Sequence, residues 1–381
     1  MTGVEFVDRV RQRLAGSGGA DLSLVVRSEQ SSAAVIADDA ALAAIERDVA
    51  AEVSGAGPLE PLLALPGVSD VLVNGPREVW LDRGRGLERS AVTFTDDAAV
   101  RRLAQRLAAA AGRRLDDASP FVDATLPDGT RLHAVLPPIT AGTTLSLRVL
   151  ARRRFELREL VDAQVATLLR AIVAARLTMV ISGGTGCGKT TLLGALLGCV
   201  PPSERLVVIE DAAELVTGHP HLVRLVTRTA NVEGSGAIGL RELVRQALRM
   251  RPDRLVVGEF RGAEIVELLV ALNTGHEGGA ATLHANAAVD VPARLYALGA
   301  LGGLSPAAVT SQVASALDVV VHLRRARSGL RGVAEVALLE RGGDGLIVAP
   351  VWSCERGVQP RAADLIDRLR ERGVDPGGLL Q

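Results

Sequence analysis

Aromatic residues are nearly missing from this chain of 381 residues: two Trp, one Tyr and five Phe, 2% of the total. Its core must therefore be aliphatic, built from Leu, Val, Ala and Ile. A stacking platform for single-stranded nucleic acid needs exposed rings, and this composition argues against one. Charge of neither sign is in excess, with a formal net charge of −1, so no basic footprint for a polyanion exists. Only a local DNA-contacting loop escapes both exclusions. Three cysteines, Cys187, Cys199 and Cys354, are too few and too scattered for a disulfide framework or a zinc site, and they fit a reducing compartment. No run reaches 18 apolar residues; even LVDAQVATLLRAIVAARLTMVISGG is broken by Asp162, Arg170 and Arg176. The opening MTGVEFVDRVRQRL mixes charges and has no apolar segment of the signal-peptide kind. Together these absences give the expectation of a cytosolic protein, with docking on a membrane partner left open.

Lysine is the most informative scarcity. Of 43 basic residues 42 are arginine and one, Lys189, is lysine. It stands in MVISGGTGCGKTTLLGALL (179–197), where Gly183 to Thr190 fits G-x-x-x-x-G-K-[ST] without a mismatch. An apolar strand precedes the loop, and a helix that Pro201 and Pro202 terminate follows it. Glycines let successive N–H groups curl around an anion, and the helix start adds its positive end. Expected nucleotide-contacting positions are Gly183, Gly184, Thr185, Gly186, Cys187, Gly188, Lys189, Thr190 and Thr191. Lys189 would reach the β- and γ-phosphates of ATP, and the Thr190 hydroxyl would hold Mg²⁺. A guanidinium is a planar fork, whereas an ammonium is a compact charge on a flexible stem. A closed phosphate loop has room for the second and not the first. Cys187 reads as a small residue filling the loop.

The grammar of the chain changes twice. Residues 1–55 read as a helical, Ala-rich segment. Over 56–150 short strands and helices alternate, as in DVLVN closed by Asn74-Gly75-Pro76 and paired with EVWLD, which makes a smaller α+β domain. The run ARRRFELREL (151–160) reads as a linker or hinge, or as a solvated helix start. From 161 to 381 the pattern is α/β. Runs LTMVIS, RLVVIE, RLVVGE and AATLHA are apolar on both faces and separated by helical segments, which indicates a mainly parallel sheet covered on both sides. Short strands and a charged helix close the chain.

In open α/β sheets the ligand lies beyond the carboxyl ends of the strands. Three runs end there in ionisable residues: Glu210 with Asp211, Glu259, and His284. Glu259 and Glu210 are the expected water-activating or metal-holding acids, with Thr190, Glu210 and Glu259 as Mg²⁺ ligands. Position 258 is glycine where many P-loop enzymes carry a metal-holding Asp, which shifts that role toward Glu210 or Asp211. TGHEGGAATLHAN carries His276 and His284 but no zinc motif, since H-E-x-x-H requires a His at 280, which is Ala. His219 and His221 are assigned to a surface loop. Arg241, Arg245 and Arg249 recur every four residues on one helix face, for solvent or for phosphate or subunit contact; Arg241 is the candidate for the nucleotide.

ISGGTGCGKTTLL, RLVVIEDAAEL, ALRMRPDRLVVGEFRGAE and TGHEGGAATLHANA together resemble the Walker A, Asp-box, Walker B and His-box segments of the secretion ATPase superfamily, in order and spacing. DVLVNGPREVWLDRGRGLE, SPFVDATLPDGTRLHAVLPP and LSLRV resemble the N-terminal domain of its Tad/Cpa branch, which assembles Flp-type pili, and the likeness over 55–340 extends to actinobacterial Tad-like, conjugal-transfer-associated ATPases. The resemblance implies a homo-hexameric ring in which an α+β domain is hinged to a RecA-like P-loop domain with a twisted, mainly parallel sheet. It implies ATP between the domains, Mg²⁺, and an inner-membrane platform protein as partner. It maps Glu259 to the Walker B acid and His276 and His284 to the His box. Arg131 and Arg148 fall where the first domain would lend arginines to the phosphates. A pilus or secretion motor is the leading expectation and a conjugative DNA motor its rival. Lys189→Ala is expected to abolish ATP turnover in a folded protein, and Lys189→Arg to be nearly as damaging; unchanged hydrolysis in the Ala variant, in a phosphate-release assay, would remove this reading.

Overall fold

The computed structural model describes residues 55–84, 86–149, 153–228, 235–326, 329–375 and 377, with Arg9, Arg13, Val25 and Ser28. The helical segment expected over 1–55 lies almost wholly outside the described residues. Two compact units divide the chain, Met1–Ala151 and Arg152–Gln381.

The first unit carries strands β1 (Asp70–Asn74), β2 (Val79–Asp82), β3 (Leu87–Arg89), β4 (Phe121–Thr125), β5 (Arg131–Val135) and β6 (Thr144–Arg148). They form one antiparallel sheet in the order β3-β2-β1-β6-β5-β4. The Asn74-Gly75-Pro76 turn joins β1 to β2, Asn74 N donating to Glu78 O at 2.8 Å. At the β4–β5 turn Asp128 accepts from the backbone N and the hydroxyl of Thr130, at 2.9 and 2.8 Å. Alternation buries Val71 and Val73 on β1, and helix α1 (Asp97–Ala110) covers them with Val100, Leu103 and Leu107. Asp96 caps α1 by accepting from Ala99 N at 2.7 Å, a contact worth about 1 kcal/mol.

In the second unit six strands run parallel: β7 (Met179–Gly183), β8 (Leu206–Glu210), β9 (Leu222–Val226), β10 (Arg254–Phe260), β11 (Ala280–His284) and β12 (Val319–Arg325). Strands β13 (Arg331–Gly342), β14 (Gly345–Ser353) and β15 (Gly357–Val358) extend the sheet antiparallel, giving the order β15-β14-β13-β12-β7-β11-β10-β8-β9. Helices α2 (Ala163–Ala174), α3 (Lys189–Leu197), α4 (Leu240–Ala247), α5 (Ile265–Leu272), α6 (Val291–Leu301), α7 (Pro306–Ala316) and α8 (Ala362–Glu371) cover it. On β7 the side chains alternate between two cores. Met179 and Ile181 join α2, α3 and α8, while Val180 joins α4 to α7. Both faces are therefore dry, and β7 and β8 are buried along their whole length.

Two parallel strands lie outside the runs that the sequence marks as such. β9 is an edge strand of mixed polarity, LVRLV, and β12 mixes its valines with His322 and two arginines. Of the stretch 151–160 expected to form a hinge, Leu157–Leu160 is a helical turn, and Leu157 is buried in the core of the second unit. The described residues without regular structure there are 153–156.

At the amino end of β10 the Arg254 side chain is sealed in the interior. Its Nε donates to Glu204 Oε2 at 2.7 Å and one Nη to Val173 O at 2.9 Å. Removing one partner of a buried ion pair strands the other. Arg254→Ala is expected to cost about 3–5 kcal/mol, read from urea denaturation; an unchanged midpoint would contradict that role.

Candidate nucleotide-binding site

The carboxyl ends of β7, β11 and β10 lie side by side, and each delivers one part of the site. After β7 the glycine loop turns into α3 at Gly188, whose φ of +98° suits glycine. Gly183 sits in tight packing: a Cβ there would lie 2.6 Å from Cys187 Sγ and 2.6 Å from Leu323 O. Cys187 is buried in the same core as Leu192 and Leu193 of α3, so it fills the loop from beneath. The Lys189 ammonium is buried and donates to Gly183 O and Gly184 O, both at 2.9 Å. Two of its three N–H groups thus brace the loop, and the third has no protein partner among the described residues.

From β11, His284 Nε2 lies 3.0 Å from the Thr185 hydroxyl. Burial lowers the pKa of His284, and the nearby Lys189 charge lowers it further, so the imidazole is neutral at neutral pH. From β10, the half-buried Glu259 is held by Arg261, whose Nε donates to Glu259 Oε2 at 2.7 Å. The same guanidinium lies 3.7 Å from Asp211. Burial works against the Arg261 charge, but Glu259 and Asp211 outweigh it and raise the pKa. Glu264 fixes this turn by accepting from the backbone N of Arg261 at 2.7 Å and of Gly262 at 2.8 Å. The joining role of Arg261 was not legible in the sequence, because it depends on β10 and β8 being neighbours.

Glu210 departs from its expected role as metal ligand or base. Its Oε1 accepts from the backbone N of Glu214 at 3.0 Å and of Leu215 at 2.7 Å. Its Oε2 lies 3.0 Å from Arg224 Nε, an ion pair without the alignment of a hydrogen bond. Burial raises the Glu210 pKa, opposed by the Leu215 amide and by Arg224. In the sheet β8 is three strands from β7, about 14 Å at the usual strand spacing, against about 10 Å for β10. The carboxylate is an internal post for the loop 211–215. The glycine at 258 has the same cause, since a Cβ there would lie 3.0 Å from Glu210 Cγ.

His276 is also displaced from its expected place. It precedes the amino end of β11, the end opposite His284, and its Nδ1 lies 3.0 Å from Ala271 O at the close of α5. Its ring therefore belongs to a helix terminus rather than to the phosphate loop. Arg241 and Arg245 of α4 both pair with Glu267 of α5, Arg245 at 2.9 Å and Arg241 at 2.5 Å. Arg131 and Arg148 of the first unit face one another across the β5–β6 ladder. Such like-charge pairs are costly, and Asp70, 3.0 Å from Arg148, and Asp123, 4.0 Å from Arg131, offset the cost. His219, expected in an exposed loop, is buried with Nε2 3.0 Å from Pro201 O. A polar pair that sequence reading missed, Ser182 Oγ and His322 Nδ1 at 2.9 Å, ties β7 to β12 from within. Its signal was a serine at the end of an otherwise apolar run.

Residues 52–343 match the family of type II/IV secretion system proteins. A putative conjugal transfer protein of Mycobacterium tuberculosis is 57% identical over 333 residues, spanning 84% of this chain and 95% of that protein. The type IV secretion system protein PtlH of Bordetella pertussis is 33% identical over 310 residues, 72% of this chain and 90% of that one. Among solved structures, the Legionella pneumophila ATPase DotB aligns at a TM-score of 0.54 and 19% identity, over 74% of this chain and 79% of that one. The pilus retraction motor PilT aligns at 0.51 and 20%, over 80% and 84%. At such identities the two structures speak to the fold alone.

Glu210→Gln separates the two roles for that residue. An anchoring Gln keeps an oxygen for the amides of 214 and 215, so ATP turnover is expected to fall no more than about ten-fold, the scale of one charged hydrogen bond. A loss of about 10³-fold in turnover would restore Glu210 to the chemistry.

Proposed function

The chain belongs to the family of type II/IV secretion system proteins, and on that premise we propose that it is an ATP-hydrolysing motor of a secretion or pilus-assembly machine. The observation that carries this reading is the Lys189 ammonium braced inside the glycine loop, with Glu259 and His284 at the ends of the next two strands. Lys189 reaches the β- and γ-phosphates, and the loop amides cradle the α- and β-phosphates. Glu259, held in place by Arg261, orients the attacking water and takes its proton. His284 is neutral and bonded to Thr185, which lets it respond to the filling of the loop without opposing Lys189. The hard oxygens of Thr190 and Glu259 suit Mg²⁺, which supplies neutralisation of phosphate charge when bound.

In this reading the second unit is a RecA-like domain with a twisted sheet, and the first unit lends Arg131 and Arg148 to the nucleotide. The stretch 151–160, whose described residues 153–156 lack regular structure, acts as the hinge through which closure on the γ-phosphate becomes rotation of one unit against the other. The chain assembles as a homo-hexamer and works at the inner face of the membrane through a platform protein. No helix among the described residues is long and apolar enough to cross a membrane itself. A conjugative DNA motor is the second reading, favoured by the relative named as a conjugal transfer protein. DNA-stimulated turnover that falls steeply with salt would select it.

Glu259→Gln is expected to lower kcat by about 10²–10⁴-fold, the usual contribution of a positioned acid–base group, with nucleotide affinity retained. Steady-state hydrolysis together with titration of a fluorescent ADP checks both halves. An unchanged kcat would remove Glu259 from the chemistry.

A further inference from the structure

The glycine loop has a second neighbour, on the side away from Glu259. In the sheet, β11 and β10 lie to one side of β7 and β12 and β13 to the other. Leu323 of β12 pairs with Val333 of β13, and both are buried in the core that holds Cys187 and Leu192. By the two-residue period of a strand, Arg331 continues the face of Val333 beyond the edge of that core, on the side where α3 starts. There its stem meets the loop: a Cβ on Gly188 would lie 3.9 Å from Arg331 Cδ and 4.0 Å from Leu323 Cδ2.

Two features leave Arg331 available to a ligand beside the glycine loop. It is exposed, and its guanidinium makes no hydrogen bond or ion pair among the described residues, whereas Arg241, Arg245, Arg261 and Arg324 all hold carboxylates. It also stands directly across the ladder from Arg325. Like charges opposite one another are unfavourable in a sheet, so an anion is favoured beside this pair.

We propose that Arg331 is a nucleotide-binding residue that contacts the α-phosphate, the end of the triphosphate that does not react. This rests on the reading of the 183–190 loop as a triphosphate site. The reacting γ-phosphate must lie toward β11 and β10, where His284 and Glu259 are, so a cation on the β12 side of β7 meets the other end. Loop amides around Gly188, at the start of α3, cradle the α- and β-phosphates in such loops. A guanidinium there adds a charge-assisted hydrogen bond to an oxygen that ATP and ADP share.

Titration of the full-length protein with ATP and with ADP, in the presence of magnesium, tests this. Arg331→Ala and Arg331→Gln are each expected to weaken both nucleotides equally, by about ten-fold, the low end for a charged hydrogen bond because the site is exposed. Both variants change an exposed side chain, and circular dichroism verifies the fold. Unchanged affinity for both nucleotides overturns the proposal, as does a loss for ATP that spares ADP, which would place the contact on the γ-phosphate. Lys189→Ala, measured alongside, keeps the two claims apart. If that variant binds nucleotide like the parent, the triphosphate reading itself fails. If it loses binding while Arg331→Ala does not, only the role of Arg331 falls.

Discussion

A buried ammonium is costly unless its N–H groups are met by oxygen. Lys189 meets that condition by folding back on the carbonyls of Gly183 and Gly184, the two residues that open its own loop. The loop, the start of α3 and the end of β7 are thereby tied through one charge. Gly183 permits the approach by leaving Leu323 O and Cys187 Sγ undisturbed. An arginine at 189 would bring a planar fork that cannot direct two N–H groups at adjacent carbonyls and a third at an anion. The single lysine in a chain of arginines is a consequence of this geometry.

Around that charge the sheet order does the sorting. β11 next to β7 brings His284 to Thr185, and β10 beyond it brings Glu259 within one further strand. β8 is a strand farther out, and its Glu210 turns from the site to hold the loop that follows it. Arg261 connects these layers by pairing with Glu259 and approaching Asp211. A charge change at one strand end is therefore felt at the next. On the opposite side of β7, the Ser182–His322 bond and the backbone of Leu323 fix β12 against the loop.

Much of this was legible in the sequence, for reasons that differ by element. The loop is legible because glycine, lysine and threonine at fixed spacing have few other uses, and β7, β8, β10 and β11 because runs apolar on both faces imply burial on both sides. β9 and β12 were not legible, since an edge strand and a strand ending in arginines lack that signature. Glu210 and His276 looked alike in sequence to Glu259 and His284. What separates them is where the chain has turned: Glu210 is captured by amides four and five residues on, and His276 stands at the far end of its strand. Such distinctions live in tertiary contacts and leave no mark on composition or period.

In this arrangement the amides of the glycine loop close around a triphosphate held at Lys189. Hydrogen exchange of the backbone, followed by mass spectrometry with and without ATP and magnesium, tests it most directly. Slowed exchange is expected in peptides covering 183–193, with little change at the amino ends of the same strands. Exchange in 183–193 that stays unchanged at saturating ATP would contradict it.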